Sequence, residues 1–164
     1  MKTSIPPTVW QAILSATIAH SAWHERLQAW CEGRSAATLH LAILREPYLS
    51  RILAGRKRIE SRFRRDRRAP FGQVKVGDLV LLKRAGGPLA GLALVTDAIS
   101  RELIPTEMDE LRAAYATDLV IDDPQFWTLH AQDCYVTLIW LDDTYPLPAI
   151  PFPRRDRRGW VVMG

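Results

Sequence analysis

The sequence predicts an α+β protein that is mainly β: a small barrel with short peripheral helices and an accessory helix at its N-terminus. Three observations carry this prediction. Short apolar runs of strand length recur between Gly and Pro punctuation from residue 38 onward. Sustained three- and four-residue periodicity is confined to residues 8–32. The chain has 164 residues, 48% hydrophobic and 24% charged, enough for one core without disulfide or metal support. The expected division is a helical extension at 1–34 followed by a barrel domain at 35–164.

In chain order, Pro6 and Pro7 close the leading coil, and Val9, Ile13, Ala16, His20, Trp23, Leu27 and Trp30 form one stripe on a helix ended by Gly33. His20 and His24 share a helix face, but no third ligand accompanies them, so no metal site is expected. Thr38 to Leu44 is a central strand. Pro47 opens a short helix that ends at Gly55, and a second strand follows over Arg58 to Phe63. Val76-Gly77-Asp78 turns into a strand from Leu79 to Arg84. Gly86-Gly87-Pro88 then turns into a fourth strand, Leu89 to Ile99. Thr106 to Tyr115 reads as an acidic helix with Thr106 as N-cap and Asp109 completing a capping box. Tyr135 to Leu141 and Gly159 to Met163 are the last strands.

The formal net charge of +4 conceals a segregation along the chain. Arg56 to Arg68 carries eight bases and two acids, and Arg154 to Arg158 carries four arginines against Asp156. Pro105 to Tyr145 holds nine acids against Arg112 alone. The bases are 18 Arg and 4 Lys, and the guanidinium group suits bidentate phosphate contact. Cys31 and Cys134 stand far apart without a secretory signature, so reduced thiols in a cytoplasmic protein are expected. No stretch is long and apolar enough to span a bilayer, so no membrane association is expected.

The most informative segment runs from Ile52 to Arg62. Gly55 lets the chain leave the helix with positive φ. Lys57 lies at the helix–strand junction, and strand alternation places Arg58, Glu60 and Arg62 on one face, with Ile59, Ser61 and Phe63 on the other. A Lys–Glu–Arg cluster can orient a phosphate or an exocyclic amine, or move a proton. It can also be no more than an ion pair at a barrel rim.

Gly55-x-Lys57-x-x-Glu60-x-Arg62, after a strand and a short helix, resembles the signature of ASCH domains, small β-barrels related to the PUA RNA-binding fold. Arg45-Glu46-Pro47-Tyr48 and Val76-Gly77-Asp78 resemble the turns on either side, and the resemblance runs over about 38–163. It implies a domain that binds RNA or single-stranded nucleic acid without a cofactor. Lys57, Arg58, Glu60 and Arg62 would line its cleft beside Tyr48, with Arg64, Arg65, Arg67, Arg68, Arg154, Arg155, Arg157 and Arg158 on the phosphates. Phe63 and Trp160 are further stacking candidates. Some ASCH-like proteins resemble metal-independent ribonucleases, which would make Lys57 and Glu60 catalytic. Others are hydrolases of an acylated cytidine, with a threonine nucleophile three residues after the lysine. Glu60 stands there in this chain, so that mechanism lacks its nucleophile. A third reading is an interaction module, with the N-terminal stripe serving a dimer or a protein partner.

Overall fold

The structure is a computed structural model that describes residues 4–154 and 157–164. Six strands form one curled sheet, a half-barrel, in the order β2-β5-β4-β3-β1-β6. They are β1 (Leu39–Leu44), β2 (Ile59–Arg64), β3 (Leu79–Arg84), β4 (Leu89–Glu102), β5 (Tyr135–Ile150) and β6 (Trp160–Met163). Five helices surround the sheet: α1 (Pro7–Thr17), α2 (Ser21–Cys31), α3 (Tyr48–Leu53), α4 (Glu107–Leu119) and α5 (Pro124–Leu129). Among the described residues, no helix is long and apolar enough to cross a membrane.

Period-two burial divides the apolar residues between the two faces of the sheet. Leu39, Leu41, Leu79 and Leu81 pack with Val9, Ile13, Trp23 and Leu27 of the N-terminal helices. Ala42, Leu44, Val80 and Leu82 form the other layer with Leu49 and Ile52 of α3. A third cluster joins Ile59 and Phe63 of β2 to Met108, Leu111 and Trp127 of α4 and α5. β4 and β5 pair along most of their length with three register shifts, irregularities that add bend and twist to a long ladder.

The expected single helix over 8–32 is two helices. His20 is the N-cap of α2, its Nδ1 accepting from the Trp23 amide at 3.3 Å, and Thr17 bonds back to the Ile13 carbonyl at 3.2 Å. An unbroken helix of that length would extend about 37 Å. Folding back brings both halves of the stripe onto one sheet face, so the stripe is buried against the protein's own strands.

α4 also starts differently from the expected capping box. Thr106 makes no side-chain cap, and the Glu107 carboxylate accepts from the Ile104 amide at 3.0 Å. At its other end the C-cap Val120 lies at φ 48°, ψ 50°, a left-handed conformation strained for a β-branched residue. Val120→Asn is therefore expected to raise stability by about 1 kcal/mol, about 2–4 °C in thermal midpoint for a chain of this size. Thermal unfolding by circular dichroism measures it; an unchanged or lower midpoint would contradict the strain.

Candidate functional site

Gly55, at φ 72°, ends α3, and the amides of Arg56 and Lys57 both donate to the Arg51 carbonyl. This reversal sends β2 along the edge of the sheet beside β5. Ile59 and Phe63 anchor β2 in the cluster with α4 and α5, while Glu60 and Arg62 line a cleft of about 810 Å³. Ser61 reaches the cleft as well.

The motif residues then separate by depth. Lys57 does not line the cleft: its side chain is 1% exposed, and Nζ donates to the Leu119 carbonyl at 2.5 Å. Leu119 ends α4, where backbone carbonyls lack helical partners and a cation is favoured. Arg51 holds the next carbonyl, that of Val120, at 3.0 Å. Lys57 also lies 5.4 Å from the Tyr48 ring centroid and 3.9 Å from Glu60. Burial lowers the Lys57 pKa from its ordinary value; Glu60 opposes that shift, and Arg62 and Arg51 add to it. Burial, followed by the charges of Asp123 and Asp122, raises the Tyr48 pKa.

Glu60 Oε1 lies 3.0 Å from Arg62 Nε, with the two side chains 9% and 16% exposed. Arg62 crosses the open seam of the half-barrel between β2 and β6. It donates to the Ile43 carbonyl at 3.1 Å and lies 5.5 Å from the Trp160 ring centroid. A side chain at Gly159 would meet the Arg62 guanidinium at 2.8 Å, so glycine leaves room for this approach. Arg58 departs from the alternation expected of it. It precedes β2, and its exposed guanidinium is held outside the cleft by the Asp142 carboxylate at 3.2 Å.

The cleft is completed by Arg45, Lys83, Arg154, Arg157 and Arg158 together with Glu46, Asp122 and Asp123. Among the described residues, all four carboxylates that line it have internal partners. Glu46 pairs with Arg84, Glu60 with Arg62, and Asp122 with Arg51, while Asp123 accepts from the Gln125 amide. Among the described residues, Arg45 and Arg157 make no ion pair. Lys83 is buried, donating to the Gly87 carbonyl at 2.5 Å, and its pKa is lowered by burial and by Arg154.

Of the first arginine run, Arg64 and Arg68 line an adjoining groove with Arg157 and Arg158. Arg65 reaches toward Asp133 at 3.8 Å, and Arg67 pairs with Glu102 and covers the Tyr135 ring. Arg155 lies outside the described residues. Trp160 is buried, its indole donating to His40 at 3.2 Å, and Phe63 is buried as well. The aromatic border of the cleft comes from Tyr48, from the edge of the mostly buried Phe63, and from Phe126 and His130, whose rings lie 4.5 Å apart. The sequence reading missed α5, which supplies Phe126 and leads into His130. Its signal was present in Asp123-Pro124, an N-cap followed by proline at the first helical position.

The sheet order and the α3–β2 junction give a half-barrel that shares its fold with ASCH proteins of known structure. The fold matches the crystal structure of ASCH from Zymomonas mobilis with a TM-score of 0.62 at 14% identity, covering 77% of this chain and 87% of that one. Two single-substitution variants of the same protein, a Tyr-to-Phe and a Ser-to-Ala, match equally well, with 90% and 88% of their chains covered. No protein-family model and no curated protein matches the sequence.

Proposed function

We propose that the cleft binds single-stranded nucleic acid, with RNA as the expected form, and that the chain is an ASCH-type binding domain. The observation that supports this is the charge arrangement in the cleft. Its acids are occupied by partners within the protein, while Arg45 and Arg157 make no ion pair among the described residues. An unmatched guanidinium at a concave surface favours a phosphate, which it can contact bidentately. Tyr48 and Phe126 provide rings beside those cations for base stacking.

The test is titration of a fluorescent single-stranded oligoribonucleotide at several salt concentrations. Five phosphate contacts would weaken binding roughly 100-fold between about 50 mM and about 200 mM salt. Exchanging Arg157 for glutamine should lower the salt slope by about one. An affinity indifferent to salt would overturn the reading.

A further inference from the structure

The cleft does not end at the tail segment. Arg157, Arg158 and Gly159 also line the second groove, of about 720 Å³, which continues toward Arg64 and Arg68. Its charged lining differs in kind from that of the cleft: among the described residues it holds four arginines and no carboxylate. Trp160, Val161 and Val162 contribute β6, which among the described residues pairs only with β1 and so presents an open edge.

Two details mark the groove as a surface for an anion. The Arg64 Nε–H is shielded from solvent and has no hydrogen-bond partner among the described residues, a costly state for a charged donor. Arg68 contacts Asp66 through Nε at 2.9 Å, and its side chain is 79% exposed. The cleft mixes acids, cations and rings, as recognition of a base edge requires. The groove offers guanidinium groups over an apolar floor, as tracking a phosphodiester backbone requires.

We infer that the groove is a second subsite, which takes the phosphates flanking the nucleotide held in the cleft. The preferred ligand is then a single-stranded oligonucleotide that passes over Arg157–Gly159, rather than a mononucleotide. This inference rests on the nucleic-acid reading of the cleft. An extended acidic peptide added along β6 is the competing occupant. Guanidinium groups take carboxylate and phosphate alike, and the oligonucleotide is favoured because the groove is continuous through Arg157–Gly159 with a cleft bordered by rings that can stack bases.

The experiment compares uridine monophosphate with oligouridylates of increasing length by competition at low salt. For the wild-type protein, affinity should rise about tenfold or more from the monomer to the tetramer, with a salt slope that steepens with length. Arg64→Gln together with Arg68→Gln should abolish most of that gain, with folding checked by circular dichroism. Arg68→Gln alone, at an exposed position, should reduce the gain if the paired variant fails to fold. A tetramer no tighter than the monomer, or a gain that survives these substitutions, would overturn the second subsite while leaving the cleft reading intact. Failure of every nucleotide to bind would overturn both. Equal competition by an oligoglutamate of matched charge would overturn the phosphate assignment.

Discussion

Lys57→Met is expected to destabilise the protein by about 3 kcal/mol while leaving the salt slope of nucleic-acid binding unchanged. Methionine retains most of the aliphatic stem, so the change isolates the ammonium. Its loss leaves the Leu119 carbonyl without its donor at the end of α4 and removes one cation from beside Glu60. A buried acceptor left unpaired costs about 1–3 kcal/mol, and breaking a buried ion pair costs about 3–5 kcal/mol. Arg62 still contacts Glu60 at 3.0 Å, so the lower part of the combined range applies. Urea denaturation should show a lower midpoint at constant slope. Hydrogen exchange should accelerate first at the C-terminal turn of α4, where the Arg58 amide and Arg51 would still hold the Asp118 and Val120 carbonyls but that of Leu119 would be released. The result that refutes this is a normally stable variant whose salt slope falls by about one, the signature of a lysine that touches phosphate. Lys57 is thus a positioning residue. It joins the α3–β2 reversal to α4 and supports Glu60 from behind the cleft wall.

This placement marks where sequence reasoning stops. Gly55 had a local requirement, positive φ after a short helix, and local requirements can be read from residue types. The same holds for Ile59 and Phe63, whose alternation with Glu60 and Arg62 follows from the strand period. Depth has no such signature. Nothing in Gly-x-Lys-x-x-Glu-x-Arg states that a helix arriving sixty residues later will present its last carbonyls to Lys57. Arg58 has a similar lesson: it precedes the first residue of β2, so the strand period does not govern it, and its side chain turns to Asp142. The arginines of residues 64–68 are indistinguishable in sequence, yet Arg65 and Arg67 serve Asp133 and Glu102 while Arg64 and Arg68 join the tail. Charge density along a chain indicates a kind of partner, but the strand edge selects which guanidinium groups meet.

The largest remaining effect is expected at Asp78, where the chain enters β3. Its carboxylate is fully buried and accepts three bonds: from the Thr38 amide at 2.8 Å, the Lys75 amide at 2.9 Å and His40 Nε2 at 3.0 Å. His40 Nδ1 in turn accepts from the Trp160 indole at 3.2 Å, so the chain of bonds runs from the Val76-Gly77-Asp78 turn through β1 to β6. That chain fixes the neutral tautomer of His40 with its proton on Nε2. Asp78→Asn keeps the shape but replaces one acceptor by a donor. If the new amide nitrogen takes the Oδ2 position, it meets the Lys75 N–H and the His40 Nε2–H together. If it takes the Oδ1 position, it meets the Thr38 N–H. Either arrangement leaves buried donors unpaired, a cost of about 3 kcal/mol. Because Trp160 lies under Arg62 at the seam, the damage should extend to the cleft.

The pH dependence gives an independent check on this network. Burial lowers the His40 pKa from its ordinary 6.5, with Lys75 adding to the shift, while the hydrogen bond and charge of Asp78 oppose it. As pH falls below 6.5 the unfolded chain takes up a proton that folded His40 refuses, so native stability falls with pH until the lowered folded pKa is reached. The loss from this one group cannot exceed about 1.4 kcal/mol per pH unit. Removing the Asp78 charge lowers the folded pKa further and extends the same decline to lower pH. Urea midpoints measured from pH 7.5 to 4.5 should therefore fall in the wild type and continue to fall further in Asp78→Asn. His40→Gln should flatten the part of the profile due to this group, and a wild-type profile unaffected by that exchange would refute the assigned tautomer and the network built on it.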